Sequence, residues 1–509
     1  MITRRAALTG ALALGLPAGL ARAADRATPE ALIEAARARG ARPYAPERRV
    51  LVAPFEGLDY DSYRGISPVA GKAAALPVGG VFRADLLPPG WLFADPVEVR
   101  LPGHELRFAH DLFTHDPALV DLPARLPDPE GMGFSGMRLL APLNRSDHWD
   151  EVLVLQGASY FRALAQGTVH GLSARGLALG TGGPVPEEFP VTREIHVFEA
   201  DTRVTLGCLI DSPRAAAALI ATLTPGATTR MSCALHLFPR EVLADAGIAP
   251  LTSMFQHNAL GPARIDDFRP AVHDSDVLVI DNGGGERLWR PLANPARVQM
   301  SSFLDAHPRG FGLLQSPAGF EAFHDAEAAY HRRPSAWVRP SGDWGKGAVM
   351  LLEIPTRDEF ADNIVAFWRP EAPLGPGAHR FDYELDWLPP GAGALPVAAY
   401  PLAPVRAASG VEPNAREGRL FVLDFAQRET VAIGAIRPEI VATGGVRIEG
   451  VAVYPLRGVA ADTLRLSFVL TPEAGAESAE LRVSLPGERG QALAPVWLYR
   501  WTRAEGGGV

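Results

Sequence analysis

The stretch TLRLSFVL, residues 463–470, sets Leu464, Leu466, Phe468 and Leu470 against Thr463, Arg465 and Ser467. A period of two sends apolar side chains to one face of an extended chain and polar ones to the other, so the segment predicts a strand buried on one side. The same pattern recurs in RLFVLDF (419–425), VRIEGVAVY (446–454), AELRVSL (479–485) and VWLYRW (496–501). It also appears far upstream in WDEVLVLQG (149–157), REIHVFEA (193–200), TRVTLGCLI (202–210) and RVQMSSF (297–303). The 51 glycines and 46 prolines fall between such runs, where they act as turn punctuation. Helical patterns are few. PEALIEAARARG (29–40) has Thr28 as its cap, Pro29 at the first helical position and Gly40 as its stop, and FEAFHDAEAAY (320–330) reads as a second helix. No alternation of strand and helix appears, which argues against a doubly wound nucleotide-binding sheet. The fold class expected is all-β.

The Pro/Gly-rich EAPLGPGAH (371–379) interrupts the chain, and about seven alternating strands follow from Arg380, as in an immunoglobulin-like sandwich. The expected organisation is therefore an export leader over 1–23, a large β-sandwich over 24–375 and an immunoglobulin-like domain over 376–509. The leader is read from Arg4 and Arg5, the apolar stretch Ala6 to Leu20 and the small-residue site Ala21-Arg22-Ala23. The paired arginines suggest the twin-arginine route, and the apolar stretch is short and broken for a membrane span. Removing the leader takes the net charge from −9 to −12, because it carries three arginines and no acid. An acidic surface disfavours nucleic acid and anionic membrane as partners, since both require a basic footprint. Cys208 and Cys233, the two cysteines, are compatible with a disulfide or with two buried thiols.

The candidate chemistry concentrates in two places. RPAVHDSDVL (269–278) sets His273 beside Asp274 and adds Asp276 within apolar flanks. Carboxylates among apolar residues are costly to bury unless paired or functionally tuned. If extended, the segment places Asp274 and Asp276 on one face; a loop held by Asp–backbone bonds is the plainer alternative. Asp274-Ser275-Asp276 also matches the metal-binding element of many glycosyltransferases, but the α/β domain those require is absent. The second place is EIPTRDEFADNIVAFWRP (353–370), where Glu359 and Asp362 precede an apolar strand, with Tyr330, Arg332, Arg333, Trp337, Trp344 and Trp368 nearby. Aromatics beside carboxylates and arginines suit sugar rings, which have apolar faces and hydroxyl edges; buried core tryptophans are the competing reading. GASYFRALAQGTVHGLSARGLAL crowds Tyr160, Arg162, His170 and Arg175 among small residues, as around a polar cleft. GGGERLWRPLANP (283–295) reads as a turn, and neither a hydrolase nucleophile elbow nor zinc spacing occurs.

Taken together, YDSYRGI (60–66), GFSGMRLLAPLN (133–144), the stretch 150–179, EEFP (187–190), GIAPLTSMF (247–255), RPAVHDSDVL, ERLWRPLANP (286–295), GFGLLQ (310–315), YHRRPSAWVRPSGDWGKGAVMLLEIPT (330–356) and DNIVAFWRP (362–370) resemble the periplasmic glucan biosynthesis proteins of the OpgG/OpgD (MdoG/MdoD) type. The twin-arginine-type leader is closer to the D-type. The resemblance implies a large N-terminal β-sandwich of the galactose-mutarotase-like kind carrying a glucan cleft, plus a C-terminal immunoglobulin-like domain, in the periplasm. It implies an anomer-inverting glucanase or transglycosylase acting on β-1,2-linked glucan; a non-catalytic glucan-binding scaffold for export is the rival. Asp362 corresponds to the general acid and Asp274 to the general base, while Tyr330 and Glu359 match cleft positions. Tyr160, Arg162, His273, Asp276, Arg333 and Trp344 are expected to contact substrate. Ala271, Val277 and Arg339 depart from the family's usual Glu, Gly and Glu. No metal and no cofactor are implied. The partners implied are β-1,2-linked glucan and the inner-membrane glucan synthase, and the sequence sets no oligomeric state. Inversion needs one protonated carboxyl and one ionised carboxylate, so Asp362 is expected to be raised in pKa by its apolar neighbours and Asp274 to stay ionised.

Overall fold

The computed structural model describes residues 28–47, 51–261, 266–391, 395, 400–413, 418–457 and 462–503. The predicted export leader lies outside them. Strands dominate, as their alternation dictates, and two sheets carry most of the chain, one of 11 strands and one of 13. Their facing sides enclose the larger core, with Leu139, Leu153, Phe161, Leu206, Leu219, Leu278 and Trp368 all buried within it. The smaller sandwich sets a four-stranded sheet (Leu402–Val411, Arg419–Gln427, Thr463–Pro472, Val446–Pro455) against Glu439–Ala442, Ser478–Ser484 and Val496–Thr502. In Thr463–Pro472 the side chains of Leu464, Leu466, Phe468 and Leu470 all enter this second core, as their period of two requires.

The two sandwiches share one sheet. Val496–Thr502 pairs in parallel with Arg287–Pro291, which pairs with Val277–Asp281, so the 13-stranded sheet runs through both. The strand Val277–Asp281 therefore has two dry faces: Leu278 and Ile280 enter the larger core, and Val277 and Val279 the smaller. Burial on both faces explains its unbroken apolar run in place of alternation. One expected boundary shifts for the same reason. The strand His379–Leu388, assigned from sequence to the smaller domain, pairs with Thr229–Pro239 and Ser335–Ser341 and so belongs to the larger sandwich. Cys208 and Cys233 are buried free thiols.

Helix Pro29–Gly40 forms as its caps predict, with the Thr28 hydroxyl accepting from Ala31 N at 3.3 Å. It lays Leu32 and Ala36 on Leu209, Ala218 and Phe238, covering the outer face of the larger sheet. Close approach depends on Gly207, where a Cβ would lie 2.6 Å from Leu32 Cδ2. Leu32→Ala should cost about 2–5 kcal/mol, because a fully buried side chain leaves a cavity; chemical denaturation of the two proteins measures it. The second predicted helix is not formed. Residues 320–330 hold two 3-10 turns, Phe320–Ala322 and, starting at Tyr330, Tyr330–Arg332. Asp325 is the reason: its carboxylate accepts from Glu327 N (2.9 Å) and Ala328 N (2.6 Å), and also binds Arg269 at 2.8 Å. Side-chain capture of local N–H groups competes with helix, and His324 and Ala329 flank it at φ 54° and 50°. Among the described residues no helix is long and apolar enough to cross a membrane.

Candidate active site

The segment His273–Asp276 links the short strand Val272–His273 to Val277–Asp281. Its backbone is fixed from three sides: Asp274 N donates to Met254 O (2.8 Å), Asp276 N to Leu314 O (2.8 Å), and Asp276 O accepts from Leu292 N (2.9 Å). The Ser253 hydroxyl donates to Ser275 Oγ at 2.8 Å. Asp274 is thereby held almost out of solvent, with its carboxylate 3.0 Å from Arg333 Nη1. Burial pushes its pKa up to about 7, aided by the charges of Asp362 and Glu359 and opposed by those of Arg333 and Arg162. Burial therefore works against the ionised state expected of Asp274. Two guanidinium groups do not outweigh its desolvation.

Asp362 comes from a later segment of the chain, two residues before the start of the strand Ile364–Pro370. Its neighbour Asn363 anchors the approach: the buried amide donates to Phe255 O (3.0 Å) and Ile354 O (2.9 Å) and accepts from Phe255 N (2.8 Å). The carboxyl of Asp362 is open to solvent yet sufficiently surrounded for burial to raise its pKa, against Arg175, Arg162 and Arg333. Trp368, further along the same strand, lies wholly inside the inter-sheet core.

Around the two acids the structure gathers most of the other predicted residues. In the strand Tyr160–Ala163, Phe161 and Ala163 enter the core, while Tyr160 and Arg162 take the opposite face. Tyr160 pairs across to Arg175, whose guanidinium stacks 4.6 Å over the tyrosine ring and binds Glu187 (2.6 Å) and Thr252 Oγ1 (2.9 Å). Arg162 acts on both Asp274 and Asp362 through its charge. Tyr330 donates its hydroxyl to Glu359 at 3.0 Å, Arg269 binds the same carboxylate at 2.7 Å, and Arg333 lies 4.8 Å over the Tyr330 ring.

Three predicted residues are elsewhere. Trp344 is core, edge-on to Phe381 and Tyr383, with its indole N–H donating to Asp382 O at 3.2 Å. His273 is fully buried, stacked on Phe255 and bonded to Gln315. Asp276 does not share a face with Asp274: it accepts from Asn258 Nδ2 at 2.7 Å and lines a separate cavity beside His273. The segment is a bonded loop here, so its side chains do not follow a period of two. Four supporting residues escaped the sequence reading: Glu187, Arg269, Gln315 and Asn363. Gln315 and Asn363 left a faint mark, as single amides adjoining apolar runs where a buried amide must find every partner. Among the described residues no cluster of three or more His, Cys, Asp or Glu side chains is placed to hold a metal ion.

A match to the family model described as periplasmic glucan biosynthesis protein, MdoG, covers residues 28–501. The chain belongs to the MdoG family. Its relatives include glucans biosynthesis protein G of Vibrio cholerae, 41% identical over 486 residues, covering 93% of this chain and 86% of that protein. The same-named protein of Rhodopseudomonas palustris is 40% identical over 492 residues, covering 93% of each, and that of Shewanella frigidimarina is 40% identical over 488 residues, covering 93% of this chain and 84% of the relative. An MdoG-family chain is thus one of glucan biosynthesis, and the acidic cluster lies within the matched span.

Proposed function

We propose that this MdoG-family protein is a periplasmic, anomer-inverting enzyme on β-1,2-linked glucan, a glucanase or a transglycosylase, with Asp362 as general acid and Asp274 as general base. The observation that carries the reading is that Asp274 and Asp362, from separate parts of the chain, face the same two guanidinium groups, Arg162 and Arg333, while burial raises the pKa of both and the charge of Asp362 adds to the rise at Asp274. Inversion needs such a pair: Asp362 gives its proton to the leaving glycosidic oxygen as the C–O bond breaks, and Asp274 takes the proton of the attacking oxygen. Water as that oxygen gives hydrolysis; a sugar hydroxyl gives transfer. The family resemblance supports a relay of water and hydroxyl groups between Asp274 and the attacking oxygen. Tyr160 and Arg162 would contact the sugar chain, while buried Tyr330, bonded to Glu359, would support Arg333, whose guanidinium lies over its ring. The arginine-paired leader and membership of a family of periplasmic glucan biosynthesis proteins support the periplasm.

Incubating the purified protein with linear β-1,2-glucan and measuring chain length and reducing ends tests the reading. Shorter chains with new reducing ends mean hydrolysis, and redistributed or cyclised chains without new reducing ends mean transfer. An unchanged length distribution with retained glucan binding would assign the scaffold role instead.

A further inference from the structure

His273 and Asp276 belong to the same segment as Asp274 but face away from the acidic cluster. Both line a cavity of about 300 Å³ between the two sandwiches, walled by the rings of Trp289, Phe425 and Trp497. Gln315 sets the chemistry at its inner end. The amide nitrogen of Gln315 donates to His273 O (2.7 Å) and Tyr330 O (2.8 Å), so its oxygen must accept the 2.7 Å bond from His273 Nδ1. The proton therefore sits on Nδ1, and Nε2 presents a lone pair. That nitrogen is buried, has no hydrogen-bond partner, and lies 3.6 Å from Asp276 Oδ1, beyond bonding distance. Burial holds the imidazole neutral, with a pKa lowered to about 3. A buried acceptor left unmatched calls for a ligand that donates to it.

The remaining lining defines that ligand. Asp276 adds a second acceptor, Ser316 contributes a hydroxyl, and Arg406 brings a guanidinium from a half-exposed position on the wall formed by the smaller sandwich. Donors and acceptors spaced around aromatic walls match a ring with apolar C–H faces and a rim of hydroxyls. Glu321 and Asp424 also line the cavity, and Asp424 pairs with Arg406 at 3.7 Å, so an organic ammonium is the competing ligand and forms one arm of the test below. We propose that this cavity is a second carbohydrate site, holding a single hexose unit apart from the cleft of Asp274 and Asp362. The inference does not depend on the glucanase reading, because it concerns the opposite side of the segment.

Tryptophan fluorescence of the whole protein, titrated with D-glucose, reads the site through Trp289 and Trp497. A saturable change is expected in the wild type and in Tyr160→Ala, weakened at least tenfold in Asp276→Asn, which keeps the shape and the Asn258 bond, and in Ala322→Leu, which fills the wall. Circular dichroism checks that each variant is folded, and either variant suffices if the other is not. Absence of saturation in the wild type overturns the proposal. So does loss in Tyr160→Ala with retention in Asp276→Asn, which would place glucose in the cleft, and so does saturation by ethylammonium chloride without saturation by glucose. None of these outcomes bears on the glucan cleavage assay, so the two readings fail independently.

Discussion

Asp362→Asn is expected to lower turnover of β-1,2-glucan by about 10²–10⁴-fold, the usual contribution of a positioned proton donor, while glucan binding and the folded state persist. The amide is nearly the same size, and Asn363, which is untouched, holds the backbone on both sides through Phe255 and Ile354. What disappears is the proton for the leaving oxygen. A substrate whose leaving group needs no protonation, such as an activated aryl glycoside, should recover much of the rate in this variant. Turnover within a few-fold of wild type on natural glucan would remove Asp362 from the acid's role.

The second large effect is a trade of activity for stability at Asp274. Its folded-state pKa of about 7 stands above the ordinary carboxylate value of 3.8. The folded protein therefore holds this proton more tightly than the unfolded chain. Stability from this group is complete below about pH 4 and is lost as pH rises through 7, a swing of about 4 kcal/mol at 1.36 kcal/mol per pH unit. Asp274→Asn removes the swing. Its stability relative to wild type should thus grow between pH 4 and pH 8, while activity on glucan falls to that of an enzyme without its base. Melting temperatures of both proteins across that range, with matched activity assays, measure this. A variant less stable than wild type at pH 8 would make Asp274 a structural loop residue. In the wild type the same titration predicts that kcat/KM declines below about pH 7, as the base becomes protonated.

The reading of residues 320–330 shows where local pattern fails. Their composition favours helix, but Asp325 is engaged by Arg269 from a distant loop, and that bond is invisible to any local window. Trp344 illustrates the same limit. A tryptophan beside arginines and acids suits a sugar platform and a core equally well, and only the position of Phe381 and Tyr383 around it decides. Asp274 and Asp276 illustrate it most sharply. Two residues apart in one motif, they serve different compartments, since the loop is fixed by Met254, Leu314 and Leu292 and not by a strand's alternation.

The sequence alone determined the all-β class and the capped first helix, because alternation and capping are local properties of the chain; that Asp274, Asp362, Tyr330 and Glu359 belong to one site was only what the resemblance implied. Tertiary structure alone decided that the strand His379–Leu388 completes the larger sandwich and that Trp344 is core. It also decided that His273 and Asp276 face a cavity of their own and that Asp274 holds its proton near neutrality. Each of these depends on which distant surfaces exclude water from a side chain, and desolvation is a property of the assembled fold that no stretch of sequence carries by itself.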